Sequence, residues 1–94
     1  MKVVINKCHG GFSLSFDAQA FCRRFGMKRT EMDGLNEYRS NSVLVEAVEE
    51  LGKEANGTHA QLVVVEIPFD TVEGWHIDEY DGVEWIAEDH RRWG

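Results

Sequence analysis

Proline occurs once in this 94-residue sequence and cysteine twice, no apolar run approaches the roughly 18 residues of a membrane helix, and from Glu54 through His90 there is neither lysine nor arginine. A lone Pro68, an absence of low-complexity stretches and a hydrophobic content of 43% put the chain outside disordered compositions. Cys8 and Cys22 are too few for a disulfide-stapled scaffold and read as small packing residues of a reducing compartment. Strand-like residues start directly after Met1, leaving no room for an apolar leader, so a cytoplasmic protein is expected. At this length one domain, residues 1–94, is expected to bury around two thirds of the surface its unfolded chain exposes, which leaves little material for a deep pocket.

The charge that is present is unevenly placed. Residues 1–39 hold seven Lys/Arg against four acids, whereas residues 54–90 hold ten acids and no Lys or Arg, within a net charge of −7. An acidic C-terminal half repels phosphates and anionic head groups, so neither nucleic acid nor a membrane is an expected partner.

Hydrophobic periodicity predicts an α+β domain of order β-α-α-β-β-α, with a three-stranded mixed sheet packed against helices. KVVINKC is apolar on both faces, as an inner strand requires. Ser15 is placed to cap a helix, Asp17 sits in its first turn, and Ala18, Phe21, Cys22 and Phe25 follow at helical spacing up to Gly26. Residues 27–41 show no clear period and read as an excursion with a turn at Asp33-Gly34, Tyr38 and Arg39 being its expected contact residues. A second helix is predicted from about Val43 to Ala55, with Leu44, Val48, Leu51 and Ala55 inward, stopped by Asn56-Gly57. AQLVVVEI reads as the central strand, parallel to the first through a right-handed crossover, and WHIDEY as an alternating strand running antiparallel beside it. Asp81 with Glu84 three residues on has capping-box spacing, so a last helix is expected, with Val83, Ile86, Ala87 and His90 inward.

The stretch NKCHGGFSLSFD raises a choice between a turn and a cradle. Glycine lets a ligand approach the backbone and a helix N-terminus attracts anions, so Gly10, Gly11, Ser13 and Ser15, with Arg39 or Arg24 as phosphate partner, could bind a nucleotide or another small anion, in an oligomer that shares the site between subunits. Neither GxGxxG nor GxxxxGK[ST] is present, and Asp17 itself occupies the positive helix end. The other reading is a strand-to-helix bend with Phe12 and Leu14 packed beneath it.

No catalytic set emerges from spacing. Cys8 and His9 are adjacent on a strand and point to opposite faces, and no nucleophile, base and orienting group can be assembled. The six Cys and His residues show no CxxC or HxxxH pattern, and DEYDGVEWIAED lacks an EF-hand alternation, so neither metal nor cofactor is expected. The carboxylates Asp78, Glu79, Asp81, Glu84, Glu88 and Asp89, with Trp85 among them, read instead as a surface for a host protein with a basic patch.

Taken together, VVINKCHGGFSLS, LVEAVEELGKEANG, VVEIPFD and WHIDEYDGVEWIAEDHRRW resemble a family of small proteins of about this length encoded in tailed bacteriophages and prophages. The resemblance covers nearly the whole chain outside about residues 23–38. It departs at His9, where relatives carry an aromatic residue, and at Asn41-Ser42, where they carry Asp-Pro. It implies a viral protein in the host cytoplasm with no catalytic residue to carry over. Small phage proteins of this kind act by binding, either blocking a host or defence protein or capturing a signalling nucleotide.

Overall fold

The computed structural model describes residues 1–67 and 74–88. The chain runs β1 (Lys2–Asn6), α1 (Phe16–Arg24), α2 (Ser42–Leu51), β2 (Leu62–Glu66), β3 (Trp75–Tyr80) and β4 (Val83–Glu88), with short 3₁₀ turns at Arg29–Met32, Asn36–Tyr38 and Gly52–Ala55. The class is α+β. The strands, however, form two antiparallel pairs, β1–β2 and β3–β4, in place of one three-stranded mixed sheet.

Both helices start on side-chain caps. The Ala18 N–H donates to Ser15 Oγ at 3.1 Å, and the Val43 and Leu44 N–H groups donate to Asn41 Oδ1 at 2.8 and 3.3 Å, each bond satisfying an amide that has no partner within its helix. Helix α1 buries Ala18 and Cys22 and leaves Phe25, expected on its inward stripe, largely exposed. Helix α2 buries Leu44, Val45, Ala47 and Val48 and ends at Leu51, after which Gly52 turns into the 3₁₀ segment. The excursion anchors itself by burying Met27 and Met32 in the helical cluster.

The expected parallel crossover is replaced by an antiparallel return. Two consecutive helical segments bring the chain back to where it left the sheet: Ser15 N–H donates to Ala55 O, and Gly57 N–H donates to Ser13 O, both at 2.9 Å. Strand β2 therefore begins opposite the end of β1, with Asn6 facing Leu62 and Lys2 facing Glu66. A single crossover helix would have carried the chain to the other end.

The expected last helix is strand β4 over Val83–Glu88; His90 and the RRW end lie outside the described residues. Asp81 and Gly82 both take positive φ, 54° and 90°, which is the type I′ turn whose twist suits a two-residue hairpin. The register pairs Tyr80 with Val83, Asp78 with Trp85 and Ile77 with Ile86, so β3 is paired to β4 and not to β2.

The β1–β2 ribbon lies between the other two layers. Val4, Leu62 and Val64 face the helical cluster of Leu14, Ala18, Cys22, Leu44 and Val48, while Val3, Ile5, Val63 and Val65 face Ile67, Trp75, Ile77 and Ile86. Strand β1 is apolar on both sides because both of its sides are covered.

Candidate partner-binding surface

The hairpin is fastened to the ribbon by a buried ionic cluster. Arg39 and Glu84, whose side chains are 4% and 9% exposed, form a two-pronged pair, Nη1 to Oε1 and Nη2 to Oε2 at 2.8 Å each. Arg39 also donates to Val4 O at 3.1 Å and to Gly34 O at 3.0 Å, and its guanidinium stacks 3.9 Å above the Phe12 ring. Glu84 Oε1 accepts the Asn6 N–H at 2.6 Å, and the Val4 N–H donates to Arg39 O at 2.9 Å. The outer edge of β1 is thus occupied by an ion pair where a further strand would otherwise lie.

Asn6, fully buried, completes the fastening. Its Nδ2 donates to Cys8 O at 2.6 Å and Gly82 O at 2.7 Å, and its Oδ1 accepts from the Gln61 N–H at 2.8 Å. One amide therefore ties together the glycine turn, the entry to β2 and the tip of the hairpin.

This fastening fixes which side of β4 faces out. Ile77 and Ile86 pack on the ribbon and Glu84 reaches Arg39, so the inward side of β4 carries Glu84 and Ile86. Strand alternation then turns Val83, Trp85 and Ala87 outward, with Asp78 across from Trp85 and Tyr80 across from Val83. The more apolar side of β4 is the one that faces away from the ribbon. Trp85 is 44% exposed and Tyr80 76%. Beside them stand Asp78, in contact with His76 Nε2 at 3.1 Å, and the exposed Asp81 of the turn.

Of the acidic residues expected on a partner surface, Asp78 lies across from Trp85 on the outer side of the hairpin and Asp81 stands exposed at its turn, whereas Glu79, across from Glu84, belongs to the other side, where its exposed carboxylate accepts the Gly82 N–H at 3.0 Å. Glu84 is turned inward and neutralised by Arg39, because its carboxylate replaces the hydrogen-bonding edge of a missing strand. Glu88 is the last residue of β4, paired with Trp75, and Asp89 lies outside the described residues. The anionic C-terminal half is therefore partly balanced from within: Glu66 also lies 3.6 Å from the N-terminal amine.

The glycine loop is filled by protein. A Cβ on Gly10 would coincide with the Cβ and carbonyl oxygen of His59, and one on Gly82 would meet the carbonyl oxygen of His9, so three turns meet backbone to backbone. Gly11, with φ 90°, donates its N–H to Cys8 O at 3.3 Å, and Phe12, Ser13 and Leu14 separate it from the helix cap Ser15. Ser15 Oγ is engaged, accepting from Ala18 and donating to Glu54 O at 2.7 Å; Ser13 borders a polar cleft of about 230 Å³ that Arg29 lines together with Asp33. Arg39 does reach the loop, through Phe12, but its charge is spent on Glu84, which is a correction to its expected role as phosphate partner. Tyr38 sits beside Glu37, whose negative charge raises its phenol pKa.

Cys8 is half-buried and the His9 ring turns to Asp81, Nδ1 lying 3.3 Å from both its backbone oxygen and its Oδ2, so thiol and imidazole are not brought together. Cys22 is buried in the helical cluster, and desolvation raises its thiol pKa. Among the described residues no cluster of His, Cys, Asp and Glu could hold a metal ion, and no helix is long and apolar enough to cross a membrane. Sequence reasoning missed Asn6 and the Arg39–Glu84 pair; the signals were a polar residue ending an otherwise apolar strand and the Asp-Gly turn that makes Glu84 a strand residue. No protein-family model, curated protein or solved structure matches the chain.

Proposed function

We propose that this chain is a non-enzymatic binding protein of the phage type it resembles, acting in the host cytoplasm, and that it engages a host or defence protein bearing a basic patch. The docking surface is the outward side of the β3–β4 hairpin. One observation carries the reading: β4 turns Val83, Trp85 and Ala87 outward and keeps Glu84 inward, the reverse of what a solvated face asks for. A half-exposed indole with a carboxylate directly across the hairpin suits an arginine or lysine side chain, which stacks on the ring while its charge meets Asp78. Glu79 and Asp81 add long-range attraction, so association is steered electrostatically and weakens as salt is added.

The test is capture from a bacterial lysate at low and high ionic strength, comparing the unaltered protein with a Trp85→Ala/Asp78→Asn variant. A basic protein held at low salt by the unaltered chain, and released both by salt and by the two substitutions, supports the reading. Capture of the same proteins by both chains, or of none at either ionic strength, would overturn it.

A further inference from the structure

The two edges of the β1–β2 ribbon are treated differently. Residues 1, 3, 5 and 7 bond across the ribbon, with Lys7 N–H donating to Gln61 O and Ile67 N–H to Met1 O, so the backbone of Val4 and Asn6 points to the outer edge of β1, where Arg39 and Glu84 receive it. By the same alternation Leu62, Val64 and Glu66 point to the outer edge of β2. Among the described residues only one hydrogen bond reaches that edge, from the Leu62 N–H to Asn56 Oδ1 at 2.8 Å. Strand β1 is buried throughout Val3–Asn6, whereas Val63, Val64 and Val65 are only half-buried. An open edge of β-branched residues is a template for another strand.

We propose that the β2 edge pairs with the β2 edge of a second copy, giving a closed dimer with a four-stranded sheet β1–β2–β2–β1. The sequence LVVVE is suited to its own antiparallel partner. Centred on Val64, it sets Val64 opposite Val64, Val63 opposite Val65 and Leu62 opposite Glu66, so no two glutamates face each other. In that register the Val64 N–H and C=O bond reciprocally, and each Glu66 N–H meets the Leu62 C=O of the other copy. Pairing stops there, because Asn56 already holds the Leu62 N–H. Glu66 lies 3.6 Å from the N-terminal amine of its own chain, which offsets its charge. Assembly closes at two copies because Arg39 and Glu84 block the only other edge of the ribbon, and a two-fold interface of this kind needs no further contact to be complete. Two chains of net charge −7 repel, so the dimer strengthens with salt, opposite to the partner contact proposed above.

The experiment is sedimentation of the full chain from dilute to millimolar concentration at low and high salt, with residue-resolved amide exchange on the same samples. A dimer favoured by salt is expected, with Val64 and Glu66 amides exchanging more than about tenfold slower when concentrated. Val64→Pro removes an N–H that points away from β1 and should leave a folded monomer; were it unfolded, the unaltered chain's exchange pattern would still decide. A monomer at every concentration, a dimer in which those two amides stay unprotected, a folded Val64→Pro chain that still dimerises, or protection independent of concentration would each overturn the proposal, the last assigning the edge to another segment of the same chain.

Discussion

Replacing Glu84 by Gln keeps the shape and an oxygen for the Asn6 N–H but leaves the Arg39 guanidinium buried without its counter-charge. Both side chains are under a tenth exposed and joined by two bonds of 2.8 Å, so solvent screens them little. Breaking such a pair from one side costs about 3–5 kcal/mol, because the surviving charge stays desolvated. Arg39→Met should cost a similar amount, since it strands the Glu84 carboxylate and also frees Val4 O and Gly34 O. At about 0.05–0.15 kcal/mol per residue the whole domain holds about 5–14 kcal/mol, so each substitution removes a large share of it. For a domain of this size the melting temperature should fall by about 15–25 °C. In the double variant no charge is stranded, and its loss should be well below the sum of the single losses. Urea titrations of the four proteins supply the cycle. Single losses under about 1 kcal/mol, or strict additivity, would refute the claim that this pair fastens the hairpin.

Other outcomes follow from the same contacts. Asn6→Ala strips a fully buried amide from Cys8 O, Gly82 O and the Gln61 N–H, and should cost about 3 kcal/mol or more in urea, with hairpin amides exchanging faster than helical ones. Gly82→Ala should cost about 1–3 kcal/mol more than Gly11→Ala, because both positions have φ of 90° but only at Gly82 does a Cβ meet another backbone, that of His9; equal losses would contradict the packing of the two turns. With a thiol reagent at neutral pH Cys8 should react well before Cys22. Burial raises the Cys22 pKa, so the folded state keeps its proton longer than the unfolded chain does. The stability this confers is complete below the ordinary thiol pKa and is lost as pH rises through the folded value, so unfolding midpoints should fall in the alkaline range for the unaltered chain and less for Cys22→Ala.

Much of the frame was legible in the sequence. Ser15 capped the helix it was expected to cap, Ala18 and Cys22 lay on its inward stripe, and WHIDEY was a strand with Trp75 and Ile77 on one face. What failed did so for identifiable reasons. In VEWIAE the spacing of Asp81 and Glu84 imitates a capping box, and Ile86 breaks the apolar–polar alternation that would have announced a strand; the Asp-Gly turn was the stronger local signal. The direction of β2 depended on where two helical segments return the chain, which no local pattern encodes. Arg39 lay in a stretch without periodicity, and its partner is 45 residues away, so the pair exists only in the fold.

The outward face around Trp85 is the proposed point of contact with the partner. A photo-crosslinking residue introduced at position 85, with a control at the exposed Phe25 on α1, should join the chain to one basic protein from position 85 alone, and increasingly weakly as salt is added. Equal crosslinking from both positions, or a partner that binds yet is never reached from position 85, would contradict it.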